Sequence, residues 1–383
     1  MFQLKDASAI AREPDVAAAI DAVDRYLAAE SGPARFRAAR DVAGAEAELD
    51  GCRGLAQVGV AGALVPESLG GSGFAPGVAA LIAERLGWAL AREPFVENIV
   101  LPAGLALTLR SDRLLQAVAG GEIHCVAWQE GAFAAPSEAR IDTAVTGAGG
   151  ALRLQGAKRF VMGARACSRL LVLARRDGVP AIVDVDAAQT GVQRRDKRLA
   201  DGTCWSEVEF DVALTEAAVV ARGDEAFAAL SSALSLANLA LAGMLHGLQS
   251  RILEMTLEYL RTRVQFDKPI GAFQALQHRA ADLYTHAQIS RYLIGEAVDA
   301  AQPQQPARAL EIYASRAKAR AADSALRIAK EGIQMHGGIG FSDEYDLGLY
   351  VKRILVLSAW LGNADWHRRR LAVIDPLAEG GLA

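Results

Sequence analysis

Four short segments of the sequence carry residue types that could hold a flat, phosphorylated cofactor. Arg263, near the end of a helical pattern, could bind a phosphate with its guanidinium fork, although an exposed arginine facing the helix dipole is the ordinary explanation. The glycines at 337, 338 and 340 could let backbone approach a ligand, or could mark a turn. Trp128-Gln129 and Lys158–Met162 could set a ring and an amide beside the cofactor, or belong to a core. Each segment alone is therefore a weak signal.

The two aromatic segments fall in a region that predicts β-strands. From about residue 123 onward, short apolar runs often alternate with polar residues and often end at Gly or Asp. The runs are HCVAWQE, RIDTAVTG, ALRLQG, RLLVLAR, AIVDVD and SEVEFDVA. The glycine-rich stretch at 147–150 lies between two runs at hairpin spacing, but its residues do not fix a turn type. This pattern predicts a small antiparallel sheet or barrel.

The other two segments fall among predicted helices. Residues 1 to about 118 place apolar residues at three- and four-residue spacing, with a Gly- and Pro-rich interruption at 64–74. After about residue 225 the pattern predicts helices at 226–263, 273–300, 306–334 and 348–372. We therefore predict an α+β, mostly α protein with a helical domain at 1–120, a central β domain at 121–224 and a C-terminal helical bundle at 225–383.

The bulk composition argues against functions that need a strong positive field. The 383 residues carry a formal net charge of -4, and the pI is near 5.9. Binding to nucleic acid or to a membrane surface needs a basic field, so we expect no nucleic-acid partner. Hydrophobic residues make up 52% of the chain, which is ample for a large core.

Cysteine spacing and the N-terminus predict a reducing, cytoplasmic location. The four cysteines include no C-x-x-C pair and have no histidine cluster nearby, so neither a metal site nor a disulfide framework is expected. The first residues lack the apolar core of a signal peptide. The stretch at 230–248 approaches the length of a membrane span, but it contains Asn238, His246 and several serines. We expect it to be a buried helix rather than a span.

Five motifs follow one another along nearly the whole chain. They are Val65-Pro66-Glu67 followed by Gly70-Gly71-Ser72-Gly73; Glu84-Arg85-Leu86-Gly87; Gly156-Ala157-Lys158-Arg159-Phe160-Val161; Arg263 to Ile270 with Phe273-Gln274; and Gln334 to Phe341 with Glu344-Tyr345. In this order they resemble PE-x-x-GG-x-G, E-E-L-G, G-x-K-x-[WF]-[IV], R-x-Q-F-G-x-P-I with FQ, and Q-x-x-GG-x-G-[FY]-x-x-EY of the acyl-CoA dehydrogenase family. Five motifs in one order are a far stronger signal than any single one.

The resemblance implies a fold, a reaction and a set of partners. The fold would be N-terminal helices, a central antiparallel β domain and a C-terminal four-helix bundle. The reaction would remove a proton α to a CoA thioester and pass a hydride from the β carbon to FAD, in fatty acid or steroid catabolism. FAD would lie at a subunit interface of a homo- or hetero-oligomer, a dimer or tetramer. Reduced flavin would pass its electrons to an electron-transfer flavoprotein or a similar acceptor.

The resemblance also implies which residues contact the cofactor. By position, Arg263 would contact the pyrophosphate, and Phe266 and Gln274 the adenosine half. Phe160 would lie beside the isoalloxazine, with Gln129 near its pyrimidine edge. The same FAD would be contacted from the partner subunit by Gln334, Gly337 and Gly338. Two positions depart from the family pattern. Asp267 replaces the usual Gly, and Met162 stands where many relatives have a Thr that hydrogen-bonds the flavin. Losing one neutral hydrogen bond costs about 0.5–1.5 kcal/mol, which would tune the flavin without preventing its binding.

The carboxylate base of the family is missing from both of its usual positions. Counting from Gln334, the glutamate that precedes a Gly-Thr pair in relatives corresponds to Leu361. A minority of relatives carry the base on the earlier bundle helix, where this chain has Ala237. General base catalysis is worth roughly 10²–10⁴-fold, so a subunit without it should be a poor dehydrogenase. His246 and Asp365 are the nearest substitutes in sequence, but a packed imidazole and a solvated helix charge are the more ordinary explanations of these two residues.

Three hypotheses follow from this combination of features. The first is a subunit of a heteromeric acyl-CoA dehydrogenase, because some relatives acting on steroid-derived thioesters are α2β2 assemblies in which the other chain supplies the base. The second is a flavin monooxygenase or oxidase on the same fold, which would not need α-proton removal. The third is a non-catalytic pseudoenzyme subunit that binds no flavin. The sequence does not name the acyl group.

Overall fold

The fold is that of a computed structural model, which describes residues 3–4, 7–40, 44–131, 135, 140–148, 151–302 and 305–375. The chain divides into two compact units, each assembled from segments distant in sequence. The helical unit comprises Met1–Asp41, Gly77–Ala91 and Asn238–Ala383, and the sheet unit comprises Val42–Pro76 and Arg92–Ala237. The three domain boundaries expected from the sequence remain predictions.

Of the four helices predicted with bounds after residue 225, the first three begin and end within about two residues of the predicted positions. In chain order the helices of the structure are α1 (Pro14–Glu30), α2 (Pro33–Arg40), α3 (Glu46–Gln57), α4 (Val78–Trp88), α5 (Leu101–Thr108), α6 (Asp112–Ala119), α7 (Asp224–Thr262), α8 (Gln274–Ala300), α9 (Ala307–His336), α10 (Leu347–Ala359) and α11 (Ala364–Ile374). The Gly- and Pro-rich stretch at 64–74 holds one short 3₁₀ turn, Glu67–Leu69. Of the break predicted between α8 and α9, residues 303 and 304 lie outside the described residues.

The single helix predicted at 348–372 is wrong, because the chain forms two helices there. α10 ends at Ala359 and α11 begins at Ala364. Between them Leu361 has φ 55° and Gly362 has φ 100°, and both values are incompatible with a continuing right-handed helix. The Asn363 side chain then caps α11 by accepting a hydrogen bond of 2.9 Å from the Trp366 N–H.

The sheet unit contains one eight-stranded sheet, and its mixed pairing corrects the prediction of an antiparallel domain. Its strands are β1 (His124–Ala127), β2 (Ala144–Ala148), β3 (Ala151–Met162), β4 (Arg169–Arg176), β5 (Val179–Asp186), β6 (Val192–Arg198), β7 (Cys204–Leu214) and β8 (Val219–Arg222). The order is β6-β7-β3-β2-β4-β5-β8. β1 and β2 both pair with β4 in parallel, and the remaining pairs are antiparallel. Two parallel pairings join segments distant in sequence, which alternation within a strand cannot reveal.

The apolar residues of the sheet strands form one core. Leu154, Leu170, Val172, Val183 and Val208 are all completely buried in it. The four cysteines are free thiols. Within the described parts of the chain, no group of three or more His, Cys, Asp or Glu side chains could hold a metal ion.

In the helical unit, α4 and α7 pack with backbone against backbone. A Cβ on Gly87 would lie 2.1 Å from the carbonyl oxygen of Met244, and one on Gly247 would lie 2.0 Å from that of Glu84. A Cβ on Gly243 would lie 2.2 Å from the carbonyl oxygen of Ala80. Only glycine permits this contact. α7 is long and apolar enough to cross a membrane, but 83% of its apolar window is buried within the protein, as in a core helix.

Candidate flavin and acyl-CoA site

A two-residue hairpin follows α7 and carries the first group of predicted cofactor residues. Strands β9 (Val264–Gln265) and β10 (Lys268–Pro269) pair antiparallel, with Phe266 and Asp267 between them. Both loop residues have positive φ, 54° and 62°, which is the conformation that a two-residue hairpin loop favours. Relatives place Gly where this chain has Asp267, and glycine adopts that backbone freely. Aspartate is one of the few other residues that tolerate it, so the departure is compatible with the same hairpin.

The side chains of this hairpin face outward. Phe266 is 84% exposed, and its ring meets the Phe273 ring edge-on with 6.1 Å between centroids. Arg263 is exposed, and within the described part of the chain no carboxylate pairs with it. Gln274, the first residue of α8, is exposed as well. A bulky residue held in a left-handed conformation without packing is strained, and such strain occurs most often at binding and catalytic sites.

The last turn of α9 and the 3₁₀ turn that follows it, Gly337–Phe341, hold the second predicted group. Gln334, Gly337 and Gly338 are exposed, and Phe341 beyond them is 80% exposed. Gly337 has φ 65° and ψ -140°, a region that is essentially restricted to glycine. A Cβ added to Gly337 or Gly338 would meet no described atom within 4 Å. The chain's own packing therefore does not explain why position 338 is glycine.

Tyr259 and His336 link these two groups. The His336 ring stacks on the Tyr259 ring with 4.6 Å between centroids. Tyr259 lies one helical turn before Arg263. The Nε2 atom of His336 lies 3.1 Å from the Tyr345 hydroxyl, and its Nδ1 lies 2.7 Å from the Gly332 carbonyl oxygen. Burial lowers the pKa of His336. Sequence reasoning did not identify this histidine, although it lies inside the quoted Gln334–Phe341 motif and immediately precedes Gly337.

In the sheet unit, a bulge in β3 presents Phe160. The pairing of β3 with β7 shifts register between Lys158 and Val161, so Phe160 leaves the ladder with φ 56°. Its ring is 43% exposed and lies 4.7 Å from the Trp205 ring, centroid to centroid. The freed Arg159 N–H donates to the Gln129 carbonyl oxygen at 2.7 Å. Phe160 and Gln129, predicted from different motifs, are thus adjacent in the structure, and Trp205 is an addition that no sequence signal indicated.

A buried ion pair fixes this arrangement. Lys158 is completely buried, and its ammonium group bonds to the Glu130 carboxylate. Glu130 also accepts hydrogen bonds from the backbone N–H groups of Asp142 at 2.6 Å and Thr143 at 3.0 Å. Burial alone would raise the pKa of Glu130, but the ammonium and N–H donors outweigh it and lower that pKa. Burial lowers the pKa of Lys158, and Glu130 offsets part of the effect. The pair joins the strand end at Gln129 to the bulge at Phe160.

Both usual base positions hold apolar, buried side chains. Leu361 is 3% exposed and lies in the turn between α10 and α11, in the helical unit. Ala237 is completely buried on α7, in the sheet unit. Met162, where many relatives have Thr, is also buried, at the end of β3.

Neither sequence substitute for the base is placed as a free carboxylate or imidazole. His246 is completely buried, with Nδ1 2.8 Å from Gln249 Nε2 and Nε2 3.9 Å from Glu84 Oε1. Asp365 is exposed in the first turn of α11, where it pairs with Arg368 at 2.8 Å. These contacts are those of a packed imidazole and a solvated helix charge.

Comparison with known proteins supports the family assignment. Residues 225–373 match the family described as Acyl-CoA dehydrogenase, C-terminal domain. The chain is 30% identical over 331 residues to acyl-CoA dehydrogenase FadE27 of Mycobacterium tuberculosis, covering 83% of this chain and 86% of that protein. It is 28% identical to a chain of the ChsE4-ChsE5 complex of the same organism, with a TM-score of 0.83 and coverage of 96% and 98%. A Tcur3481-Tcur3483 steroid ACAD variant gives 27% identity, a TM-score of 0.82 and coverage of 96% and 99%.

These similarities extend over most of the chain, so they concern both units and not only the C-terminal helices. A mostly helical chain with a mixed sheet and a C-terminal helical bundle agrees with the fold of these relatives. The protein belongs to the acyl-CoA dehydrogenase family, whose members are FAD-dependent oxidoreductases that act on the CH–CH group of acyl-CoA.

Proposed function

We propose that this chain is the base-lacking subunit of a heteromeric, FAD-dependent acyl-CoA dehydrogenase. The observation that carries the proposal is a contrast within the chain. Arg263, Phe266 and Gly338 are exposed without a packing role, whereas Leu361 and Ala237 leave both base positions apolar. A second, homologous chain would supply the carboxylate.

The residues present fit FAD, judged by their chemistry in each unit. In the helical unit Arg263 would bind the pyrophosphate, Phe266 and Gln274 the adenosine half, and the Cβ-free backbone at Gly337 and Gly338 would admit the cofactor closely. In the sheet unit the Phe160 and Trp205 rings would pack against the isoalloxazine, with Gln129 at its polar edge. Bound FAD would supply the hydride acceptor.

Relatives named as two-chain or steroid enzymes support the heteromer and a substrate class. The ChsE4-ChsE5 complex carries two protein names, and the Tcur3481-Tcur3483 protein is described as a steroid ACAD. We take a bulky, steroid-derived CoA thioester as the first substrate class to test. An electron-transfer flavoprotein or similar acceptor would reoxidise the flavin, and the complex would work in the cytoplasm as a dimer or tetramer.

The experiment compares the chain alone with the chain co-expressed with an acid-bearing homologue encoded beside it. The chain alone should hold little FAD or reduce it negligibly, and co-expression should restore the flavin spectrum and flavin bleaching by a steroid-derived CoA thioester. Rapid bleaching of the isolated chain by octanoyl-CoA would refute the proposal. Fast reaction of the reduced complex with oxygen in the presence of the thioester would favour the oxidase alternative instead. Absence of flavin bands in both preparations would favour the pseudoenzyme.

A further inference from the structure

Lys318 on α9 is completely buried, yet it faces no carboxylate within the described residues. Its ammonium group donates to three backbone carbonyl oxygens: Leu357 at 3.0 Å, Ser358 at 3.2 Å and Gly362 at 3.2 Å. The first two belong to the last turn of α10, whose carbonyls have no partners within the helix. The third belongs to the turn that connects α10 to α11. One side chain thus fixes both sides of Leu361.

The turn itself is strained and held from a second direction. Leu361 adopts φ 55°, a left-handed conformation that is unfavourable for a residue other than glycine. Its carbonyl oxygen lies 3.2 Å from Nε2 of His367, a residue that is 1% exposed. Burial and, to a smaller extent, the nearby ammonium of Lys318 together lower the pKa of His367 to about 3, so the imidazole is neutral and its Nε2–H donates to this carbonyl oxygen. Such a conformation persists only where neighbours over-determine it.

Burying a lysine without a counter-ion is costly, and a methionine of similar length would fill the same space without that cost. Burial lowers the pKa of Lys318 to about 7, which expresses this cost. The three hydrogen bonds to the turn are what offsets this cost. What distinguishes the position of Lys318 is the turn that it binds, because Leu361 occupies the place of the family's base.

We propose that Lys318 is a positioning residue: by binding three carbonyl groups around the turn, it fixes where side chain 361 lies relative to the acyl-CoA. The inference rests on the proposed function, since it assumes that a CoA thioester binds near this turn. In this chain the positioned side chain is Leu361, which would form a wall of the acyl site rather than remove a proton. The turn would keep its geometry although the base has gone.

The first experiment measures the turn without any cofactor. Backbone hydrogen exchange is compared between the wild-type chain and Lys318→Met, with Lys318→Arg as the conservative variant. We expect at least tenfold faster exchange at residues 357–363 in Lys318→Met, no change at residues 252–260 of α7, and restoration by Lys318→Arg. The proposal would be overturned if Lys318→Met left the exchange rate at residues 357–363 at its wild-type value, or if it raised the rates at residues 252–260 by the same factor. Lys318→Gln, which keeps two N–H donors, serves the same comparison if Lys318→Met does not fold.

The second experiment asks whether the position of side chain 361 depends on Lys318. Leu361→Glu returns a carboxylate to the turn, and Leu361→Gln is the matched control without a base. In the complex with the acid-bearing homologue, whose own base carboxylate has been changed to the amide, choloyl-CoA or octanoyl-CoA should bleach the flavin at least 100-fold faster in Leu361→Glu than in Leu361→Gln. Adding Lys318→Met to both variants should reduce the ratio of their bleaching rates below tenfold. The reduction should come from a lower kcat of Leu361→Glu, with its KM within threefold of the value measured with Lys318 present.

The two experiments separate the two claims. An undiminished ratio in the Lys318→Met background would overturn the positioning role. If no variant binds FAD or bleaches it, the proposed function fails, while hydrogen exchange at residues 357–363 still decides whether Lys318 holds the turn.

Discussion

Two regions of the helical unit use glycine and unusual backbone for opposite reasons. In the contact between α4 and α7, a Cβ added to Gly87, Gly243 or Gly247 would lie 2.0–2.2 Å from a carbonyl oxygen of the other helix. The second region consists of the exposed residues around the β9–β10 hairpin and the turn at Gly337–Phe341. There, a Cβ added to Gly338 would meet no described atom of the chain within 4 Å. The first region is explained by the fold, whereas packing within the described residues gives no reason for glycine at position 338. Small residues therefore indicate a ligand or subunit surface only after internal packing has been excluded.

The largest effect is expected from filling the contact between α4 and α7. In Gly247→Ala the new Cβ meets the Glu84 carbonyl oxygen at 2.0 Å and the Trp88 nitrogen at 2.6 Å. Because both obstacles are backbone, we expect a loss of about 3 kcal/mol or more in the free energy of unfolding. Thermal and denaturant unfolding would measure it. An unchanged midpoint would contradict the internal role of this glycine.

Arg263→Gln should have the next largest effect, and it should act on the cofactor rather than on the fold. A charge-assisted hydrogen bond is worth about 1.5–3 kcal/mol, so FAD affinity should fall roughly 10- to 100-fold. Unfolding should not change, because the side chain pairs with no carboxylate in the described part of the chain. Arg261→Gln, at an exposed position two residues earlier, is the matched control. Equal loss of FAD binding in both variants would remove the specific role of Arg263.

The buried part of the helical unit should also differ from the second region in its response to pH. The His367 pKa is about 3 in the fold, against an ordinary 6.5, so the unfolded chain binds more protons between these values. Stability should therefore fall as pH drops below 6.5, by about 2 kcal/mol from this group between pH 7 and pH 5. Denaturant unfolding at the two pH values should show a smaller difference in His367→Gln than in the wild type. His278→Gln, exposed on α8, should leave the difference unchanged.

The smallest effect is expected from Gly338→Ala. The added methyl group has open space within the chain, so the unfolding midpoint should stay the same. If backbone approach by the cofactor or by a partner subunit requires glycine here, FAD affinity should fall roughly threefold to tenfold, which is about 0.7–1.4 kcal/mol. Gly348→Ala, in α10, is the control that should change neither quantity. Unaltered FAD binding in Gly338→Ala would mean that the second region has no ligand role at this residue.

The sequence predicted the helices far better than the edges of the sheet. α7, α8 and α9 have long apolar periodicity and were placed within a few residues. β6 was missed because its residues are almost all charged and exposed, as is usual at a sheet edge, where pairing occurs on one side only. The break between α10 and α11 had a local signal that was overlooked: Gly362 can end a helix, and Asn363 can begin one.

The motifs located the candidate site, but they did not reveal what supports it. Arg263, Phe266 and Gly338 were identified by motif order, and their predicted contacts with FAD remain predictions. Lys318 gave no sequence signal, because a lysine in an Ala- and Arg-rich helix usually faces solvent. Its role depends on carbonyl groups about 40 residues later in the chain, as the hydrogen bonds to Leu357, Ser358 and Gly362 show. Long-range contacts of this kind are not encoded in local pattern.

The division of the helical unit into three separated segments has a consequence for how the protein is made. Synthesis delivers both segments of the sheet unit before most of the third helical segment, Asn238–Ala383, exists. The face of α4 that packs against α7 must therefore stay uncovered until α7 leaves the ribosome, while the middle of the chain can already fold. We expect newly made chains to depend on chaperones during this interval, and truncation after residue 237 to yield insoluble protein.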